Sequence, residues 1–398
     1  MEGNMRLLLI KNGDIYSPEH RGKKDILVIN EKIFSIDRDI SASALDEINR
    51  NVEIIDASKC IVIPGYVDQH VHFNGAGGEG GPQFRTPPVK FSEFVKAGIT
   101  SVIGVLGTDG FARSLKELFM KARALEQEGI STWIYTGAYQ YPSPTITGSI
   151  MSDLMFVDKV IGVKIAISDH RASHPTIEEF TKLVSEARTG GILAGKAGIV
   201  HIHVGSEQSG LGYLFEIIEN TGIPIEQFAP THLARNEESF KNDIEFGRMG
   251  GYIDLTTGAS AVRKLTGKIK PSKAVKRLME EGVSIRRITM STDGNGSIPK
   301  WNEHKEFIGM TVASVATLHI EFRDLVKEEQ ISLEDAVRVT STNIAGHLKL
   351  DQKGEIKEDK DADLLVMDKD SLQIKHVIAK GKILMEDEKI LKFGTFEK

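Results

Sequence analysis

Hydrophobic and polar residues are arranged differently at the two ends of the chain and in its middle. In the first sixty residues, runs rich in Val, Ile and Leu, such as LLLIKNGDIY, DILVINEKIFSID and VEIIDASKCIVIPG, are broken by turn-forming residues. This pattern predicts short β-strands joined by tight turns. The last fifty residues repeat it in ADLLVMDKDSLQIKHVIAKGKILMEDEKILKFG. We therefore expect the two ends to pair into one small β-sandwich.

Between the two ends, apolar runs alternate with helical stretches such as RSLKELFMKARALEQEG, TIEEFTKLVSEAR and PSKAVKRLMEEGV. Eight runs predict strands: Tyr66–His72, Ile99–Gly107, Thr132–Tyr139, Gly162–Ser168, Ile199–Val204, Ala229–Leu233, Tyr252–Thr257 and Ile288–Ser291. Eight strands alternating with helices predict a closed (β/α)8 TIM barrel. The expected fold class is thus α/β, with residues 63–350 in the barrel and residues 1–62 and 351–398 in the small β domain.

Composition and charge narrow the classes of function. The 398 residues are 40% hydrophobic and 27% charged, which is typical of a globular protein. A net charge of −6 and the lack of basic clusters with interleaved aromatic residues argue against a nucleic-acid partner. The single cysteine, Cys60, excludes an intrachain disulfide and favours a cytoplasmic location. The apolar run at residues 7–10 is too short for a signal peptide or a membrane span, so we expect no membrane association.

The segment GYVDQHVHFNGAGGEGG, residues 65–81, contains two competing motifs. Residues 75–80 spell G-x-G-x-x-G, which binds dinucleotides where the loop runs directly into a helix. Pro82 follows instead, so we reject this interpretation. His70 and His72 form the other motif, because residues i and i+2 of a strand point to the same face. Two imidazoles side by side are typical of a zinc-like metal site.

Other candidate ligands lie at the ends of other predicted strands. His203 and His232 close the fifth and sixth strands, and Asp293 follows the eighth. In a barrel the carboxyl ends of all strands meet at one rim, which is where barrel active sites lie. We therefore expect these side chains to converge with the first histidine pair. His201 would share the strand face of His203, and we interpret it as a deeper packing residue.

Lys164 lies in the middle of the apolar fourth strand, VIGVKIAIS. Lysines are almost never fully buried without a partner. One interpretation is a side chain that extends to the rim or pairs with a carboxylate. The other is a desolvated, neutral amine that adds carbon dioxide and becomes a metal-bridging carbamate. The residues alone favour the first interpretation.

Taken together, these motifs resemble the binuclear amidohydrolase superfamily and, within it, the isoaspartyl dipeptidase family. The resemblance rests on DQHVHFNGAGGEGGP, GVLGTDG, TGAYQYPSPTITGS, VIGVKIAISDHR, PTHLARN and STDGNGS. It implies two Zn²⁺ per subunit, bridged by a carboxylated Lys164 and a hydroxide, in a homo-oligomer that is commonly an octamer. The metal ligands that it implies are His70, His72, Lys164, His203, His232 and Asp293.

The resemblance also implies hydrolysis of the β-aspartyl bond of a small dipeptide. The implied catalytic residues are Asp293 as general base and acid, Tyr139 as a donor to the oxyanion, and Glu79. The substrate has one free amine, which Glu79 would bind, and two carboxylates, for which Arg171 and Arg235 are candidates. Rim packing for Tyr139 and ordinary solvated charges for the arginines are the alternatives. Further residues at substrate-contacting positions of the family are Gly77, Gly78, Thr108 and Ser297.

Two other functions stay open at this point. Another amidohydrolase, such as a dihydroorotase- or hydantoinase-like cyclic amidase or an N-acyl amino acid deacylase, would share the metal ligands. It would lack the charge pattern of Glu79, Arg171 and Arg235. A non-catalytic binding protein of the same fold would typically lack some of the ligands, whereas all six positions are filled here.

Overall fold

A computed structural model describes residues 5–48, 52–258, 269–302, 304 and 306–397 of the chain. The N-terminal strands are β1 (Leu7–Tyr16), β2 (His20–Ile29), β3 (Lys32–Asp37), β4 (Val52–Asp56) and β5 (Cys60–Pro64). The barrel strands are β6 (Tyr66–Val71), β7 (Ile99–Gly104), β8 (Ser131–Gly137), β9 (Val160–Ile167), β10 (Ile199–Val204), β11 (Phe228–Thr231), β12 (Ile253–Thr256) and β13 (Ile288–Ser291). A hairpin and the C-terminal strands follow as β14 (Ser297–Trp301), β15 (Phe307–Val312), β16 (Leu364–Asp368), β17 (Ile374–Ala379), β18 (Lys382–Glu386) and β19 (Lys389–Ile390).

Most helices lie between or after the barrel strands, and the first lies between β3 and β4 of the small domain. The helices are α1 (Ala42–Ile48), α2 (Phe91–Ala97), α3 (Leu115–Glu128), α4 (Ile150–Phe156), α5 (Ile177–Ala194), α6 (Gly212–Asn220), α7 (Glu237–Arg248), α8 (Pro271–Glu280), α9 (Thr317–Lys327), α10 (Leu333–Val337) and α11 (Asn343–His347). Local sequence determines where such a helix begins and ends, as α5 shows. At its start, Thr176 and Glu179 form a reciprocal capping box. Gly195 ends the same helix in a left-handed conformation.

The strands of both chain ends form one mostly antiparallel sheet in the order β19-β18-β17-β16-β5-β1-β2-β3, and β4 pairs with β1 as well. The first half of β1 pairs in parallel with β4, and its second half with β5. Antiparallel pairing of β5 with β16 joins the two ends of the chain. A separate core that includes Leu8, Ile10, Val62 and Val366 lies in this part. The predicted small β domain is confirmed, and its strands form one continuous sheet that forks at β1.

Eight parallel strands form the larger domain, as predicted. Strands β6 to β11 make a six-stranded sheet, and β12 and β13 make a two-stranded sheet. Between β11 and β12, Leu233 N donates to Asp254 O at 3.3 Å. Between β13 and β6, His72 N donates to Gly294 O at 2.9 Å. These contacts link the two sheets at both junctions, which fits a TIM barrel.

The two ends of the barrel differ in chemistry. The amino end is filled by apolar side chains, including Val67, Ile103 and Ile199, which pack with Ile344 and Leu348 from the region of α11. At the carboxyl end, several strands stop one to three residues before their predicted ends. The predicted site residues therefore lie at the last strand positions or in the loops just beyond them.

Neither helix α1 nor the hairpin of β14 and β15 was predicted from the sequence. Pro299 lies within β14, opposite Met310 of β15. A proline cannot donate to a sheet ladder, so its presence argues against a strand unless that strand lies at an edge. In a two-stranded hairpin both strands are edges, and this explains why the strand forms here. No helix of the described residues combines the length and the hydropathy needed to cross a bilayer.

Candidate metal centre and active site

A cavity of about 350 Å³ opens at the carboxyl end of the barrel. The predicted site residues that line it are His72, Glu79, Thr108, Tyr139, Arg171, His203, His232, Arg235, Asp293 and Ser297. His70 and Lys164 are buried and do not line the cavity. Gly77 and Gly78 line a neighbouring groove, which shares Glu79 with the cavity.

Three of the predicted ligands form a compact cluster in the barrel mouth. His70 Nε2 and His72 Nε2 lie 3.3 and 3.2 Å from Asp293 Oδ1. One ligand atom from each residue falls within 4.8 Å of the others, so the three could hold one metal ion. Asp293 has a φ of 53°, a left-handed conformation that is uncommon for a residue with a side chain. Such backbone strain is typical of functional sites.

A second histidine pair lies beside this cluster. The ring centroids of His203 and His232 are 4.4 Å apart, and those of His70 and His232 are 5.0 Å apart. His232 Nδ1 is within 2.6 Å of Thr256 Oγ1, which leaves its Nε2 available to a ligand. His203 Nε2 is 2.8 Å from Asp169 Oδ2, and its Nδ1 is 2.6 Å from the hydroxyl of Tyr139.

Burial sets the protonation state of these imidazoles. It lowers the pKa of His70, His203 and His232 well below the usual value, so each ring is neutral. Nε2 of His70 and of His232 keeps a lone pair for a metal, whereas a metal on Nδ1 of His203 would replace the hydrogen bond from the Tyr139 hydroxyl. His201 is fully buried, as expected for a packing residue, and its ring stacks on Tyr135 at 4.7 Å. It also does more than pack, because its Nε2 lies 2.8 Å from His70 Nδ1.

Lys164 is the least conventional member of the site. Its exposed fraction is 0%, and within the described residues its Nζ has no hydrogen-bond partner. Burial lowers its pKa to about 7, although the charges of Asp293 and Asp254 oppose the shift. The side chain neither extends to solvent nor pairs with a described carboxylate, so the two ordinary explanations fail. An orphaned, desolvated amine beside neutral imidazoles and a carboxylate fits a binuclear metal site bridged by a carbamate.

The Glu79 carboxylate is held at the mouth of the cavity by hydroxyl groups. Thr108 Oγ1 donates to Glu79 Oε1 and Ser297 Oγ donates to Glu79 Oε2, both at 3.0 Å. The nearest cation is Arg171, whose Nη1 lies 3.5 Å from Glu79 Oε1. The ion pair with Arg171 is longer than the two hydrogen bonds from the hydroxyls, so the carboxylate is able to receive a further cationic group.

Asp169 joins the substrate side of the cavity to the histidines. Arg171 Nε and Nη2 donate to Asp169 Oδ1 and Oδ2, both at 2.8 Å, while Oδ2 also contacts His203. Burial opposes ionisation, but the hydrogen bonds from Arg171 and His203 hold the pKa of Asp169 well below its usual range. This carboxylate therefore stays ionised and fixes the orientation of both partners.

Tyr139 and Arg235 complete the wall of the cavity. Burial raises the pKa of Tyr139 well above its usual value, so the phenol stays protonated and able to donate. Arg235 Nε donates to Val204 O at 2.8 Å, and the described residues accept no other hydrogen bond from this guanidinium. Burial lowers the pKa of Arg235, yet an arginine stays charged at neutral pH. The free donors of Arg235 are thus suited to an anionic ligand.

Comparison with known proteins agrees with this geometry. The model of the amidohydrolase family matches residues 61–384. The chain belongs to the amidohydrolase family. A solved structure of the β-aspartyl dipeptidase from Fervidobacterium islandicum AW-1, in complex with β-Asp-Leu dipeptide, is 42% identical, with a TM-score of 0.88 over 98% of this chain and 100% of that one. A second structure of this dipeptidase is 40% identical over the same shares, also with a TM-score of 0.88.

Other similar proteins match at lower identity or over a shorter segment. Dihydropyrimidinase from Brevibacillus agri NCHU1002 is 15% identical, with a TM-score of 0.68 over 98% of this chain and 97% of that one, so it shares the fold alone. The dihydroorotase of Clostridium acetobutylicum is 40% identical over 73 residues. This match spans 18% of the present chain and 16% of the dihydroorotase. The resemblance to the isoaspartyl dipeptidases seen in the sequence is therefore confirmed over nearly the full length.

Two polar partners of the histidines in this amidohydrolase, Asp169 and Thr256, were not predicted from the sequence. Asp169 lies in the same segment as Arg171, VIGVKIAISDHR, and it follows β9 at the same rim as the other candidates. Its position after a barrel strand was therefore an available signal. Thr256 gave no such signal, because a threonine at a strand end is common and its contact with His232 depends on the fold.

Proposed function

We propose that this amidohydrolase hydrolyses the β-aspartyl (isoaspartyl) bond of dipeptides with the help of two Zn²⁺. The observation that carries the proposal is the charge pattern around one cavity. One carboxylate, Glu79, and two guanidinium groups, Arg171 and Arg235, surround the candidate metal ligands. A β-aspartyl dipeptide has one ammonium and two carboxylates, which is the complementary pattern. The dipeptidase that is 42% identical and was solved with β-Asp-Leu supports the same substrate class.

The metal part of the proposal assigns ligands by position. His70, His72 and Asp293 would hold one ion, His203 and His232 would hold the other, and a carboxylated Lys164 would lie between them. Metal ions bound in this way lower the pKa of water and polarise a carbonyl group. The neutral rings of His70, His203 and His232 support this assignment, because neutral imidazoles bind metals. Burial lowers the pKa of Lys164 to about 7, which makes the neutral amine that reacts with carbon dioxide accessible.

Two residues of the chain would move or donate protons. The Asp293 carboxylate lies at the cavity surface, where it can accept the proton of the attacking water and deliver it to the leaving amine. Tyr139 lines the same cavity and stays protonated, so its hydroxyl can donate a hydrogen bond to the developing oxyanion.

The hydrogen bonds of the two arginines suggest how they divide the work. Arg171 already uses Nε and Nη2 on Asp169, and its Nη1 lies 3.5 Å from Glu79 Oε1, so it has fewer free donors for a ligand. Arg235 uses only Nε on the protein within the described residues. We therefore assign a two-pronged carboxylate contact to Arg235 and a single contact to Arg171.

A substrate panel tests the proposal directly. The purified protein, loaded with zinc, would be offered β-Asp-Leu, α-Asp-Leu, dihydroorotate and N-acetyl-leucine. We expect β-Asp-Leu to have the highest kcat/KM. Preferred hydrolysis of dihydroorotate or the N-acetyl amino acid would instead support the cyclic amidase or deacylase, and no turnover with no bound zinc would support a non-catalytic protein.

The state of assembly and the location are separate parts of the proposal. Family resemblance predicts a homo-oligomer, with the octamer as the expected size, and Cys60 as the single cysteine favours the cytoplasm. Light scattering coupled to size-exclusion chromatography would measure the mass of the assembly. A monomer at working concentration would contradict the oligomer without affecting the substrate assignment.

A further inference from the structure

The loop that carries Glu79 is anchored to one buried arginine that does not line the cavity. Arg113 lies just before α3 and is 7% exposed. Its Nη1 donates to the carbonyl of Asn74, while its Nη2 donates to Thr86 O at 2.6 Å and lies 3.5 Å from Ala76 O. One guanidinium therefore holds both the outgoing and the returning backbone of the loop.

A second set of contacts ties the same two points to each other and to the barrel. Ala76 N donates to Thr86 Oγ1 at 2.7 Å, and Thr86 Oγ1 donates to Asn295 O at 3.0 Å. Asn295 Nδ2 in turn donates to His72 O at 3.0 Å. The loop of residues 74–86 is thus closed at its base, and Glu79 lies in the part that the base supports.

Gly75 shows how closely the loop fits the guanidinium. A Cβ built on Gly75 would overlap Arg113 Nη1 and Thr86 O. Its φ of 99° also lies in a region that residues with a side chain rarely adopt. The close approach of backbone and guanidinium is therefore a property of this glycine.

Arg113 is also unusual in what it does not contact. Within the described residues its hydrogen bonds go to backbone carbonyls of the loop, and none goes to a carboxylate. Burying a cation without an anionic partner costs free energy. Since its partners all belong to the loop base, the stabilisation that Arg113 provides is directed at the loop.

We propose that Arg113 is a positioning residue that holds the loop 74–86 so that Glu79 meets the ammonium group of the substrate. The inference rests on the proposed function, because it needs Glu79 to be the ammonium-binding carboxylate. Thr108 and Ser297 orient the carboxylate itself, whereas Arg113 fixes the backbone from which it extends. A carboxylate fixed before binding avoids the ordering cost that a loose loop would pay for each substrate bound.

The test compares two compounds that differ only in the ammonium group. β-Asp-Leu carries it, and succinyl-leucine is the same molecule with hydrogen in place of the α-amine. In Arg113→Met we expect KM for β-Asp-Leu to rise about tenfold, as for a weakened charge-assisted hydrogen bond, with kcat much less affected. The inhibition constant of succinyl-leucine should stay close to that of the parent. Arg113→Lys should lie in between, because an ammonium can donate to carbonyls but lacks the planar fork.

Two further variants keep the result interpretable. Arg123→Met removes an exposed arginine from α3 and should leave both KM for β-Asp-Leu and the inhibition constant of succinyl-leucine unchanged. Gly75→Ala disturbs the same loop base from the other side and should reproduce the selective loss, so it decides the question if Arg113→Met does not fold. The inference would be overturned if the binding of both compounds were weakened equally. It would also be overturned if KM and the inhibition constant matched those of the parent in both Arg113→Met and Gly75→Ala. A different result would contradict the proposed function, namely a parent enzyme that does not hydrolyse β-Asp-Leu.

Discussion

Two lysines are buried at opposite ends of the barrel, and their surroundings differ completely. Lys353 is 5% exposed, and its Nζ lies 2.6 Å from Ser131 Oγ at the start of β8, 2.6 Å from Asp363 Oδ2 and 2.8 Å from Asp361 Oδ2. Lys164 is 0% exposed, lies toward the carboxyl end of β9, and has no partner within the described residues.

The contrast shows that partners, more than burial itself, decide what a buried lysine does. Burial disfavours the charge of both side chains. For Lys353 the charges of Asp363 and Asp361 overcome burial and raise the pKa, so the ammonium persists as part of an ion-paired network. For Lys164 burial prevails and lowers the pKa to about 7, so the neutral amine is accessible. We interpret the first lysine as structural and the second as a reactive group of the proposed metal centre.

Removing Lys164 should have the largest effect. Lys164→Ala takes away the proposed bridge, and metal ions supply several kcal/mol of transition-state stabilisation, so we expect a loss of about 10³-fold or more in kcat for β-Asp-Leu. Added bicarbonate or propionate should restore part of the activity by supplying a carboxylate. Lys182→Ala, an exposed lysine of α5, is the matched control. Parent-like activity in Lys164→Ala would remove the carbamate from the account.

Removing Lys353 should instead destabilise the fold. Lys353→Met leaves Asp361 and Asp363 without their shared cation, and breaking a buried ion pair from one side costs about 3 kcal/mol or more. We expect a lower urea midpoint and normal activity of the fraction that stays folded. Replacing both aspartates by Asn in the same variant should recover part of the stability. An unchanged urea midpoint together with lost activity would contradict the structural role of Lys353.

The same contrast extends to carboxylates. Asp361 has close cationic partners, whereas Glu79 is held by two hydroxyls and has its nearest cation at 3.5 Å. Glu79→Gln should lower kcat/KM for β-Asp-Leu about tenfold or more, since it removes a charge-assisted contact. Binding of succinyl-leucine should be unaffected. Identical losses for both compounds would show that Glu79 does not bind the ammonium.

The smallest effect concerns the pH dependence of stability in the metal-free protein. The folded-state pKa of Lys164, about 7, lies below the value of 10.5 expected when unfolded. Lys164 therefore lowers the free energy of unfolding progressively as pH falls from 10.5 to about 7. The pKa of Lys353 is raised, so its contribution is present below pH 10.5 and is lost as pH rises through the folded-state value. Urea midpoints measured across this pH range should depend less on pH where Lys164 titrates in the variant Lys164→Met. They should depend less on pH where Lys353 titrates in the variant Lys353→Met. Profiles that match the parent in both variants would contradict these assignments.

The sequence predicted the barrel well because its strands are apolar runs with clear polar breaks, and two of the eight, Ile199–Val204 and Ile288–Ser291, match to the residue. The convergence of the candidate ligands at one rim could be predicted for a related reason. A histidine or aspartate at the end of a parallel strand must lie at the common rim, whichever residues lie between. Here local pattern and barrel geometry give the same answer.

Contacts between loops could not be predicted in this way. Arg113 anchors a loop that starts thirty-nine positions earlier, and no local pattern says that the two segments meet. For Lys164 the pattern favoured an extended or paired side chain, and only the three-dimensional packing shows that it is neither. The hairpin of β14 and β15 was missed because Pro299 argues against a strand when its edge position is unknown.

The most direct test of the central claim is a crystal structure of the zinc-loaded protein with anomalous diffraction recorded at the zinc absorption edge. The account predicts two anomalous peaks, one beside His70, His72 and Asp293 and one beside His203 and His232. Forked density should extend from Lys164 Nζ between them. A single peak, no peak, or an unmodified Lys164 amine in the metal-loaded protein would contradict this prediction.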